Sequence, residues 1–222
     1  MAPMAPEMID LLAAGVWETL YMTLVSTAIA YVIGIPLGVV LYVTDAKGIR
    51  PNRAVNLIVG TIVNILRSIP FLILLVMILP FTRFVVGTTI GSTATIVPLV
   101  VAAAPYVARM VESSLKEVDP GVVEAARAMG SSVPQMIVKM FLPEAKPSLL
   151  VGAAISLATI LGYSAMAGFV GGGGLGAIAI NYGYYRYQFD VMLTTVVLLV
   201  IIVQIFQEGG LALVRKVDKR LR

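Results

Sequence analysis

Two residue types are missing altogether from this 222-residue chain: it has no cysteine and no histidine. Without cysteine there is no disulfide framework, no thiolate zinc site and no Cys nucleophile. Without histidine, imidazole acid–base chemistry and the common His-containing metal sites are excluded. Charge is scarce as well. Only 13% of residues are charged, 59% are hydrophobic, and the mean hydropathy is +0.96. Soluble domains carry about 25% charged residues, so this chain has too little polar surface to cover a water-soluble globule. It reads as a polytopic membrane protein, and its length suits about five to seven spans at roughly 20 residues per span plus loops. The phosphate-cradling pattern Gly-x-x-x-x-Gly-Lys-Ser/Thr is also lacking, since the glycine run at 171–176 has no lysine after it. The chain is therefore not expected to hydrolyse ATP itself.

The first 20 residues contain no Lys or Arg and are mildly acidic through Glu7, Asp10 and Glu18. A secretory signal opens with a positive region, so this segment is expected to stay on the mature protein and to lie outside the cell. The net charge of +4 and pI near 9.4 come from basic residues gathered in loops and at the tail. Membrane orientation explains that distribution better than nucleic-acid binding does.

Five apolar runs are expected to span the bilayer, at about 19–43, 57–81, 93–111, 148–170 and 190–214. The first contains Gly34-Ile35-Pro36-Leu37-Gly38, which reads as a close helix-packing point, with a hinge as the other option. Gly171–Gly174 cannot hold a regular helix cheaply and is expected to mark the external end of the fourth span. Basic residues then test the topology. Three lie in loop 45–53, four in segment 116–146 and five in the tail after 214; the opposite side holds only Arg83 and Arg186. This asymmetry puts the N-terminus outside and both segment 116–146 and the C-terminus in the cytoplasm.

Segment 116–146 reads as two short helices. Asp119 suits the N-cap of the first, with Pro120 in its first turn, and Gly130 is placed to end it. Ser132 and Gln135 have capping-box spacing for the second, and Leu142-Pro143 is expected to close it. The small side chains of Ala125, Ala126 and Ala128 let a partner approach the backbone, and Glu124 offers a charged acceptor. On composition alone, a capped surface pair that merely connects two spans fits equally well.

Glu124-Ala125-Ala126, three residues, Gly130, nine residues, then Met140-Phe141-Leu142-Pro143 resembles the EAA loop of ABC-importer permeases, with Met140 where that family usually has isoleucine. Gly15–Leu20, Arg67–Phe71, Ala104–Met110 and Gly162–Met166 extend the likeness to the permeases of bacterial methionine ABC transporters, over most of residues 15–187. The resemblance implies an all-α, five-span type I importer permease in the bacterial inner membrane, working as a homodimer. It implies two copies of an ATP-binding subunit, which would hold ATP and Mg, and an external methionine-binding lipoprotein. It also implies that Glu124, Ala125, Ala126 and Gly130, with Leu142 and Pro143 closing the motif, form the coupling helix that seats in the ATPase.

Inside the spans, Tyr163, Ser164 and Met166 interrupt an oily run with two hydroxyls and a flexible thioether. They read as a translocation-path lining or as a helix-packing patch. Arg67 either faces a cavity or partner, or snorkels to headgroups. Arg109 has Glu112 three residues on, a helix-pair spacing, and reads as structural. The cluster Tyr182, Tyr184, Tyr185, Arg186 and Tyr187 suits an interfacial belt or the docking of a binding protein. Methionine import leads these readings; a permease for another amino acid or osmolyte is the nearest alternative. An ion-coupled transporter wants a buried titratable group in its spans, and only Glu112, near a boundary, approaches that. For an intramembrane enzyme only a Ser–Lys dyad remains, and Ser164 has no lysine in its span.

Overall fold

The computed structural model describes residues 6–217, in which every regular element is helical. Of the expected basic tail, Lys219, Arg220 and Arg222 lie outside the described residues. Helix α1 runs over Pro6–Thr44, α2 over Arg53–Ser68, α3 over Phe71–Met77, α4 over Leu79–Val86 and α5 over Ser92–Lys116. The polar segment follows as α6 (Pro120–Ala128), α7 (Val133–Met136), a π-turn at Ile137–Phe141 and α8 (Leu142–Glu144). Helix α9 covers Lys146–Ala167, α10 Gly174–Ile178 with a π-helical extension at Ala179–Tyr184, and α11 Phe189–Val217. Among the described residues, four stretches are long and apolar enough to cross a membrane, or five when the bent pair α2–α3 counts as one span.

The structure departs from the expected runs in three places. Helix α1 begins at Pro6 rather than near 19, because proline suits a first turn, and it runs on through the internal Pro36 to Thr44. The run expected over 57–81 is not one rod: α2 and α3 meet at 103°. Pro70 has no N–H and pushes the residue before it out of helical geometry, and its own ψ of 135° is extended. Leu142-Pro143 does not stop the second helix of the polar segment. The π-turn lies directly before Pro143, and its wider winding accommodates the ring and the missing donor within a helix that continues into α8.

The chain forms two compact units, one from residues up to Ile29, Ile69–Ala103 and Ser156–Gln207, the other from Ala30–Ser68, Ala104–Ile155 and residues from Glu208 on. In the first, Leu12, Leu161, Leu175, Ile178, Val191 and Ile202 make a buried core. The glycine run ends α9 through a 3-10 turn at Gly168–Val170, and Gly171, Gly173 and Gly174 all have positive φ. The new start at α10 is capped by α1: the Glu18 carboxylate accepts from the Gly174 N–H at 2.6 Å, and the Thr19 hydroxyl accepts from the Leu175 N–H at 2.9 Å. These two bonds satisfy donors that a helix start leaves open.

In the second unit Leu41, Val63 and Ala108 are packed in a buried cluster. Gly34 and Gly38 bring α1 against α5. A Cβ at Gly34 would sit 2.6 Å from Val107, and one at Gly38 would press on Ala108 and Val111. This is the packing role rather than the hinge. Helix α2 exposes Leu57, Ile58, Ile62 and Ile65, an apolar face of the kind that marks membrane or partner contact.

Candidate coupling site

Helix α6 is held at both ends by its own sequence. The Asp119 carboxylate accepts from the Gly121 N–H at 2.7 Å, as an N-cap. At the other end the Gly130 N–H donates to the Arg127 carbonyl at 2.9 Å and the Ser131 N–H to the Ala126 carbonyl at 3.1 Å. That pair of bonds is a Schellman motif, and Gly130 supplies its left-handed residue at φ +74°. The Ser132 N–H then donates to Gln135 Oε1 at 2.9 Å, the capping-box contact that starts α7.

The capped helix presents Glu124 and Ala125 outward and turns Ala126 inward, where it is buried. Beside it lies an open groove of about 720 Å³ lined by Val122, Ala125, Ala126, Met129, Gly130, Ser131, Gln135, Met136, Lys139, Met140 and Glu144. Three methionines and two charged residues, Lys139 and Glu144, line the groove; Met136 is buried and Met129 exposed. Leu142 is half-buried and Pro143 exposed on the following turn. Phe141, fully buried, packs edge-on against Tyr42 with ring centroids 4.9 Å apart, which fixes the segment to α1. The motif residues therefore share one segment, and Glu124, Ala125 and Gly130 lie at its surface. Met129 and Met136, which join Met140 in the groove lining, are not marked by the sequence reading; three of the eleven Met residues within one polar segment is the available signal.

The span candidates fall in both units. Tyr163 is half-buried and stacks on Phe71 at 4.6 Å and 7°. Ser164 is buried and donates its hydroxyl to the Leu161 carbonyl at 2.8 Å, so it faces into its own unit. Met166 is exposed. Arg67 is exposed in the last turn of α2, in the other unit. Arg109 does pair with Glu112, at 2.6 Å. In the aromatic cluster the Arg186 guanidinium lies 4.4 Å over the Tyr182 ring, while Tyr184, Tyr185 and Tyr187 are exposed.

A helical chain with five apolar runs and one capped, groove-bearing polar segment has the architecture of a transport permease. Residues 34–222 match the family described as the binding-protein-dependent transport system inner membrane component, and the chain belongs to that family. It is 52% identical over 211 residues to a probable D-methionine transport system permease protein of Vibrio cholerae, covering 95% of this chain and 94% of the relative. It is 54% identical over 165 residues to the D-methionine transport system permease protein of Escherichia coli K12, covering 74% and 76%. Among solved structures, a chain of the MetNI methionine ABC transporter in an inward-facing conformation superposes with a TM-score of 0.96 at 53% identity, over 97% of this chain and 100% of that one. An amino-acid ABC transporter chain at 20% identity and a TM-score of 0.78 shares the fold.

Proposed function

We propose that this chain is the membrane-spanning permease of an ATP-driven methionine importer. The observation that carries the reading is a capped, exposed α6 beside a groove lined in part by methionines, in a chain 52% identical over nearly its whole length to a probable D-methionine transport permease. In this reading two copies of the chain pair in the inner membrane, each seating its 116–146 segment on one ATP-binding subunit. ATP and Mg belong to that partner. Glu124, Ala125, Ala126 and Gly130 make the contact, with Leu142 and Pro143 shaping its far end. An external binding lipoprotein delivers methionine, and the permease alternates between outward and inward access. The N-terminus faces the periplasm and the C-terminus the cytoplasm, as the basic-residue asymmetry requires.

Tyr163, Ser164, Met166 and Arg67 are proposed to line the translocation path. The test is to extract the tagged chain gently, count what co-purifies, and reconstitute it with its partners in vesicles. An ATPase at one copy per permease and ATP-driven uptake of methionine, but not of an osmolyte such as betaine, is the expected result. A lone chain that works on an ion gradient overturns the reading. Single cysteines at 163, 164, 166 and 67 add the path test, and protection of 163 and 166 in every nucleotide state removes them from it.

A further inference from the structure

Helix α5 ends at Lys116, and after three intervening residues α6 begins at Pro120. Whatever moves the polar segment pulls on this end of α5. A single carboxylate sits there at the centre of a four-charge chain. Glu112 is only 5% exposed. One of its oxygens accepts from Arg109 Nη1 at 2.6 Å and the other from Lys116 Nζ at 2.7 Å. Each cation then reaches a different element. Arg109 Nη2 donates to the Gly60 carbonyl at 3.2 Å and to Asn64 Oδ1 at 2.9 Å, both on α2. Lys116 Nζ donates to Asp45 Oδ2 at 3.2 Å, in the turn between α1 and α2. The absence of a side chain at Gly60 makes room for the guanidinium, which lies 3.3 Å from where a Cβ would be.

An ion pair meant only to support a helix stays on that helix and is solvated. This one is buried at its centre, at Glu112, and crosses to two neighbouring elements, so losing the Glu112 carboxylate removes the acceptor that Arg109 and Lys116 share. Gly34 and Gly38 already press α1 onto the same stretch of α5. The end of α5 is thus fastened to α1, to the α1–α2 turn and to α2 at once.

We propose that Glu112 and Arg109 are positioning residues for transport: through them a displacement of α6 reaches α2 and the α1–α2 turn as one rigid movement. The inference rests on the permease reading above. Its test uses the full assembly in vesicles, with methionine uptake and ATP hydrolysis measured on the same preparation. Glu112→Gln keeps the size and removes the charge. Arg109→Lys keeps the charge and removes the fork that holds Gly60 and Asn64 together. Both are expected to lower methionine moved per ATP hydrolysed by about threefold or more, hydrolysis falling by a smaller factor than uptake.

A purely structural role lowers both rates together and leaves the ratio unchanged, and that result overturns the proposal. Asn64→Ala leaves the buried charges intact and cuts one of the two bonds from Arg109 to α2. It is expected to lower the ratio by about twofold, and it decides the matter if the charge variants do not assemble: an unchanged ratio there overturns the proposal. Wild-type vesicles that show no ATP-driven uptake overturn the permease reading, and the positioning role with it. ATP-driven uptake by the wild type with unchanged ratios in the variants overturns the positioning role alone.

Discussion

Replacing Gly130 should weaken coupling in an order set by backbone handedness rather than by side-chain size. Gly130 holds φ +74° at the end of α6, and a Cβ there would meet nothing within 4 Å. The cost of alanine is therefore conformational, about 1–2 kcal/mol for an L-residue in the left-handed region. That is a factor of about 5–30 in the population of the capped end. Asparagine tolerates this region better and should lose only part of that factor, whereas β-branched valine should lose more than alanine. The expected rank is Gly, Asn, Ala, Val, read as the affinity of the detergent-solubilised permease for its ATP-binding partner. Thermal stability of the isolated permease should fall in the same rank order, because the backbone strain at φ +74° does not depend on exposure. Asparagine performing worse than alanine would refute the reasoning, since size at a contact surface would then decide. Valine matching glycine would refute it too.

Three further outcomes are expected. Asp119→Ala removes the N-cap on Gly121, costs about 1 kcal/mol, and should speed limited proteolysis within 117–131 while Asp119→Asn does not. Two adjacent glycines in α11 should respond with opposite sign in thermal unfolding. Gly209→Ala meets nothing within 4 Å and should stabilise by up to about 1 kcal/mol through helix propensity, whereas a Cβ at Gly210 collides with the Ala154 methyl and should destabilise. The Asp45 carboxyl is held below its ordinary value of 3.8, first by the Lys47 N–H and then by the Lys116 ammonium. A depressed native value makes the charged form stabilising above the ordinary value and lost as pH falls through the native one. The melting-temperature gap between wild type and Asp45→Asn should therefore be full above about pH 4 and close on further acidification.

Much of the candidate site is legible from local rules. Asp119, Gly130 and the Ser132–Gln135 pair are caps whose chemistry acts within a few residues, so spacing alone finds them. The Arg109–Glu112 pair is found for the same reason, at a separation of three. What stayed hidden depends on chain that is distant or uniformly apolar. Lys116 meets Asp45 across 71 residues, and no periodicity announces that. An oily run also looks alike whether straight or bent, so 57–81 read as one span although Pro70 turns it through 103°. Nor does the sequence show that the Ser164 hydroxyl donates to the Leu161 carbonyl of its own helix. A proline signals a helix stop only where normal winding is the sole option, and at Pro143 the preceding π-turn supplies another.

That π-turn also works as a ruler for the chain's tolerance to insertions and deletions. The buried positions of this stretch are Met136, Phe141 and Ala145, separated by five residues and then by four. In a plain α-helix a five-residue step rotates a side chain well past its predecessor's face; the wider turn absorbs the extra residue and keeps Phe141 against Tyr42. Losing one residue from 137–141 would restore ordinary winding ahead of Pro143 and put its ring against a backbone carbonyl. Gaining one would rotate the groove's methionines away from Ala126. Length in these five positions is thus under tighter constraint than composition, the reverse of what a surface connection between two membrane spans ordinarily allows.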